Sequence, residues 1–192
     1  MNIAKGFEVL VPWGDILAHS SAFRVTSGTN RAHVVWECEG LPSSLTPQLT
    51  NRPLQAAHST TDSLWKKTCF EVFVRSRQSG VYQEWNFAPD FQWNTYGFGG
   101  VRRVLPNRLW PGPQKFGIEA QGQHCRIECE VGWENLAELC RAESAGLLDI
   151  WVTAILFDGS KTQYWATQHF SGKADFHQPG LGRPLQRFLK TS

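Results

Sequence analysis

The chain has 192 residues, with 19 Lys+Arg against 17 Asp+Glu and a formal net charge of +2. Charged residues make up 19%, hydrophobic ones 41% and aromatic ones 12%, a balance that excludes intrinsic disorder and binding to nucleic acid through bulk positive charge. The length suits one domain over 1–192 with a sizeable core.

At the N-terminus, Met1 to Gly14 carries Lys5, Glu8 and Trp13 and no long apolar stretch, so it does not read as a secretory signal. The longest apolar run, Ile150 to Phe157, is broken by Thr153 and is far shorter than the ~20 residues of a spanning helix. No membrane contact is expected, and the expected compartment is cytoplasmic.

Strand-like patterns begin at Phe7–Val11 and Ala22–Thr26. In His33–Glu39, Val34, Trp36 and Cys38 share one face; a segment rich in Gly and Pro follows over 40–53. Thr68–Arg75 and Tyr82–Ala88 form a hairpin across Ser76–Val81. With Arg75 opposite Tyr82, Glu71 faces Asn86, Val72 faces Trp85, Phe73 faces Glu84 and Phe70 faces Phe87. Opposed residues share a face, so Phe70, Val72, Val74, Trp85 and Phe87 make an apolar face. Glu71, Phe73, Tyr82, Glu84 and Asn86 make the other. Pro89–Tyr96 reads as a loop rich in aromatics, and Gly and Pro cluster again over 97–113 and 171–184.

Further strands are expected at Lys115–Ala120, His124–Val131, Asp149–Phe157 and Gln163–Thr167. The second is the cleanest, with Cys125, Ile127, Cys129 and Val131 opposing His124, Arg126, Glu128 and Glu130. The third is apolar on both parities, as in a central strand of a covered sheet. One short helix is expected near Trp133–Glu143, where Trp133, Leu136, Ala137 and Cys140 recur at helical spacing. About nine strands and one helix give an all-β antiparallel sandwich. Five cysteines without a C-x-x-C pair read as buried, reduced and structural.

Two carboxylates, an amide and aromatics on one sheet face make a candidate ligand surface. Carboxylates and amides bond hydroxyls, and aromatic rings cover apolar ligand faces. Trp65, just before the hairpin, and Trp93 and Tyr96, just after it, are candidates to stack on a sugar ring; Trp36, Trp85 and Trp151 fill the core. A second cluster, His169, Asp175 and His177, offers metal ligands or an acid/base group, although its spacing matches no zinc pattern. Glu71 and Glu84 also raise glycoside hydrolysis, which uses two carboxyls about 5–9.5 Å apart.

Three strings carry a family resemblance: Leu64-Trp65-Lys66-Lys67-Thr68-Cys69-Phe70-Glu71-Val72-Phe73; Tyr82-x-Glu84-x-Asn86-Phe87-x-Pro89 with Trp93 and Tyr96; and Lys173-x-Asp175-Phe176-His177-x-Pro179. Together they resemble the bacterial DOMON-like domain proteins, of the superfamily that includes family 9 carbohydrate-binding modules and haem-binding DOMON domains. The resemblance implies a jelly-roll-like sandwich of about ten strands that holds a small ligand without catalysis. Its signature positions fall on Trp65, Glu71, Glu84, Asn86, Trp93 and the Asp175–His177 turn. Haem-binding relatives use Met or His axial ligands, and the one Met here is residue 1, so a haem would fall to His169 and His177. Haem and a divalent metal are both disfavoured, and no cofactor is expected.

The resulting expectation is a module for a carbohydrate or a cell-wall sugar precursor. Trp65, Trp93 and Tyr96 would contact the ring, Glu71, Glu84 and Asn86 its hydroxyls, and the His169/Asp175/His177 turn would close one end. The alternatives are a hydrolase built on that histidine turn and a haem carrier.

Overall fold

Alternating burial separates the strands into two kinds, wet on one face or covered on both. The computed structural model describes residues 8–14, 18, 20–27, 30–45, 51–55, 61–105, 110–134, 147–170 and 172–188. Within them the strands are β1 (Glu8–Val9), β2 (Val11–Gly14), β3 (Ser20–Ser27), β4 (Arg31–Glu39), β5 (Arg52–Gln55), β6 (Cys69–Ser76) and β7 (Tyr82–Phe87). There follow β8 (Trp93–Phe98), β9 (Lys115–Gln121), β10 (His124–Gly132), β11 (Leu148–Phe157), β12 (Thr162–Ala166) and β13 (Arg183–Pro184). Two antiparallel sheets result, ordered β1-β3-β4-β10-β9-β5 and β2-β12-β11-β6-β7-β8, with β13 beside the start of β11. The all-β sandwich expected from alternation is the fold observed.

Sheet one is the wet kind. Along β10, Cys125, Ile127, Cys129 and Val131 are buried while the residues between them are only partly so. Its outer face carries ion pairs of the ordinary surface type, such as Arg126 Nη2 to Glu128 at 3.0 Å and Lys115 to Glu130 at 3.2 Å. The inner faces of both sheets meet in one apolar layer. Trp36 of β4 reaches across it to Phe70 and Phe87 of the second sheet, with ring centroids at 5.9 and 6.2 Å.

Sheet two is covered on both faces. Nearly every residue of β6, β7 and β11 is buried, which is why 150–157 is apolar on both parities. Its outer face has a second apolar cluster, including Phe73, Tyr82, Phe98 and Trp151. Phe73 stacks on Trp151 (centroids 4.9 Å apart, planes at 3°), and Tyr82 stacks on Phe98 at 4.6 Å. Three connecting segments lie over this face: the 3₁₀ turn Leu64–Lys66, the loop 99–105 and the chain 172–182. Trp151 Nε1 donates to the Phe176 carbonyl at 3.0 Å and ties the last of these down.

The hairpin register is the one expected, from Phe70↔Phe87 to Arg75↔Tyr82. Other elements differ. The expected strand Phe7–Val11 is two, because the chain passes at buried Leu10 from the first sheet to the edge of the second, where β2 pairs with β12. Pro12 sits in that edge strand, where its missing N–H costs no ladder bond. β8 and β13 fall in segments expected to be loops, and β5 begins at the end of one. The helix expected at 133–143 lies, beyond Glu134, outside the described residues, as does Cys140. Cys38, Cys69, Cys125 and Cys129 are free and buried, and burial pushes their thiols up, to about 11 for Cys38. Among the described residues no helix is long and apolar enough to cross a membrane.

Candidate functional site on the covered face of the second sheet

A cavity of about 470 Å³ opens on the outer face of the second sheet. Strand alternation sends Glu71 of β6, Glu84 of β7, Tyr96 and Phe98 of β8, and Ile155 of β11 toward it, with Tyr164 of β12 at one side. The connecting segments add Trp65, Arg102, Val104, Ala174, Phe176 and His177.

Its floor holds two carboxyls, and both are buried: Glu71 is 3% exposed and Glu84 is 4%. Glu71 Oε2 accepts a 2.8 Å hydrogen bond from Thr153 Oγ1, directly across the β6–β11 ladder. Glu84 Oε1 accepts one from Asn86 Nδ2, also at 2.8 Å, while Glu84 Oε2 and Asn86 Oδ1 have no hydrogen-bond partner. Loss of hydration disfavours the charged form of both acids. Burial raises Glu71 to about 7, against the bond from Thr153 and the positive field of Arg102. Burial, and then the neighbouring Glu71, push Glu84 up well above the carboxylate range.

A polar chain runs along the far wall. The Arg102 backbone N–H donates to Tyr82 Oη at 3.1 Å, and Tyr82 Oη lies 2.7 Å from His177 Nδ1. With Tyr82 giving its proton to Nδ1, His177 carries its own on Nε2, which stands 3.8 Å from Glu84 Oε2. That separation would fit an ion pair. Burial, and then Arg102, hold His177 down to about 4, however, which disfavours the charged imidazolium that such a pair needs. Arg102 is itself bound outside the cavity, with Nη2 2.7 Å from Asp175 Oδ1. Burial raises Asp175, but hydrogen bonds from Gln178, Arg102 and the His177 N–H outweigh it and keep this carboxyl below its usual range.

Trp65 stands at the rim, 42% exposed, with its ring edge-on to Tyr96 at 5.5 Å. Tyr96 is held by Asp62 and Asn94: its hydroxyl accepts from Asn94 Nδ2 at 2.9 Å and donates to Asp62 Oδ1 at 3.2 Å.

The structure thus brings together Trp65, Glu71, Glu84, Tyr96 and His177 around one cavity, with Asn86 beneath it as the partner of Glu84. It does not bring in Trp93. Trp93 opposes Phe87 in the β7–β8 ladder and therefore points to the inner face, where it packs against the core beside Gly112. The loop reading of 89–96 is corrected by β8, and the parity of that strand separates Trp93 from Tyr96. His169 is also elsewhere, its Nε2 2.8 Å from the Val11 carbonyl and its ring against Trp13. Asp175 serves Arg102. The His169/Asp175/His177 cluster therefore does not converge, and no group of three His, Cys, Asp or Glu among the described residues could hold a metal ion.

No family model and no curated protein matches the chain. Its fold is similar to the crystal structure of a proposed carbohydrate-binding protein from Bacteroides uniformis. The TM-score is 0.59 at 12% identity, over 92% of this chain and 83% of that one. At that identity the likeness carries the fold alone.

Sequence reasoning missed Thr153, Arg102, Tyr164, Phe98 and Phe176. A signal existed for Thr153: a lone hydroxyl in a strand apolar on both parities needs a buried partner, and Glu71 is that partner. Arg102 lies in a glycine-rich loop with a left-handed φ of 56°, and no local pattern marks it.

Proposed function

We propose that the outer-face cavity binds a carbohydrate or a sugar-derived small molecule and does not transform it. The observation that carries this reading is an exposed Trp65 beside a recess floored by two buried carboxyls. A ring stacks on the indole, and its hydroxyls reach Glu71, Glu84 and His177. The fold of the Bacteroides protein supports the same reading, as does the DOMON-like character of the strings around Trp65, Glu71, Glu84 and His177. A bacterial, cytoplasmic, DOMON-like binding domain is the identity proposed with it.

Isothermal titration with a panel of mono- and disaccharides tests the proposal. Saturable binding in the micromolar to millimolar range is expected, weakened about tenfold or more by Trp65→Ala. Because Trp65 is a rim residue, that variant keeps the thermal stability of the parent. A flat response to the whole panel up to tens of millimolar would remove carbohydrate as the ligand class.

A further inference from the structure

Two carboxyls on one buried floor are an expensive way to bind a neutral hydroxyl. An amide in either position would bond the same hydroxyl without the cost of removing an acid from water. What a pair of carboxyls offers that amides do not is compensation of a positive charge. Three further features point the same way. Glu84, which lines the cavity, has a buried Oε2 without a hydrogen-bond partner, leaving an oxygen to be met by a ligand's donor. The walls are aromatic, with Trp65, Tyr96, Phe98, Tyr164 and Phe176 around the opening, and such rings attract a cation within about 6 Å of their faces. Among the described residues that line the cavity, the one cation is Arg102, and it is already paired with Asp175 at 2.7 Å and 57% exposed.

We infer that the site selects a sugar carrying a free primary amine, with the ammonium set on the floor between Glu71 and Glu84 and the sugar ring against Trp65. This assignment rests on the carbohydrate reading and adds the charge of the ligand to it. The ammonium donates charge-assisted hydrogen bonds to the two carboxyls, any proton it displaces from them passing to solvent, and an acetamido group or a hydroxyl forms no such bonds.

Titration of the full chain at pH 7 with glucosamine, N-acetylglucosamine, glucose and cyclohexylamine tests each part separately. Glucosamine should bind about tenfold or more tighter than glucose and N-acetylglucosamine. Glu71→Gln should narrow that gap; the comparison of ligands on the unaltered protein stands even if this variant fails to fold. Equal affinity for glucose or N-acetylglucosamine and glucosamine would overturn the amine assignment and leave the carbohydrate reading intact. Cyclohexylamine binding as tightly as glucosamine would overturn the carbohydrate reading and the amino-sugar assignment with it. No binding of any of the four would overturn the amine assignment, and the carbohydrate reading would then stand or fall on the wider panel of mono- and disaccharides.

Discussion

Glu71 pays for its position with hydration, and the consequence is measurable as pH dependence. Burial raises its carboxyl from an ordinary value of 4.5 to about 7, so the folded protein holds this proton more tightly than the unfolded chain. Its charged form is therefore penalised on folding. The penalty is absent below pH 4.5, grows as pH rises toward 7, and reaches about 3 kcal/mol. Glu71→Gln removes it. Urea denaturation should show the variant gaining on the parent by about that amount between pH 4 and pH 8. An unchanged difference across that range would mean that Glu71 titrates as an exposed acid. Other ionisable groups face the same recess: Glu84, Tyr82, Tyr96, Tyr164, His177 and Arg102, the last paired with Asp175. His177 acts in the opposite sense. Its value is lowered from 6.5 to about 4, so its contribution is full above pH 6.5 and is lost as pH falls through 4. His177→Asn should remove a loss of stability toward acid between about pH 6.5 and 4, whereas Glu71→Gln removes a loss toward neutral pH over nearly the same range.

At the scale of elements, the β6–β7 hairpin was legible because period-2 alternation and a short connection fix a register together. That register put Glu71 and Glu84 on one face before any tertiary contact was considered. The next strand was not legible. Trp93 to Phe98 contains Asn94 and Gly97, residues that disfavour strands, and follows a turn in which Phe91 takes a left-handed φ of 71°. Missing β8 cost the parity argument that separates inward Trp93 from outward Tyr96. Gly97 has a packing reason to be there: a Cβ would lie 1.8 Å from the Trp110 ring, which occupies the inner face at that point. Gly97→Ala should therefore displace Trp110 and lower stability by about 2–3 kcal/mol in chemical denaturation. A loss under about 0.5 kcal/mol would show that the inner face gives way there without strain.

Across the whole molecule, the two sheets differ in what lies on their outer faces. The first is solvated and studded with ion pairs; the second is roofed by three connecting segments drawn from different parts of the chain. Arg102 and Asp175 join two of those segments by a contact whose arginine is largely in water. A double-mutant cycle on this pair should give a coupling below about 1 kcal/mol. The buried bond from Trp151 Nε1 to the Phe176 carbonyl is the stronger tether. Trp151→Phe should cost about 1–3 kcal/mol and speed amide exchange across 172–182 relative to the strands beneath. Exchange as slow as in β6 and β11 would show that ring packing alone holds the roof.

Sequence alone determined the sandwich, the hairpin register and the shared face of Glu71, Glu84 and Asn86, because alternation and register are local and each repeats every two residues. Only the tertiary structure decided that this face is roofed, that its acids are buried, and that Arg102 and His177 meet them while His169 and Trp93 do not. Those outcomes depend on where the loop 99–105 and the chain 172–182 come to rest, on the parity of β8, and on the Thr153, Tyr164 and Phe176 side chains gathered around one recess. Hydration, charge state and the space left for a ligand are properties of that gathering, so strand alternation carries no record of them.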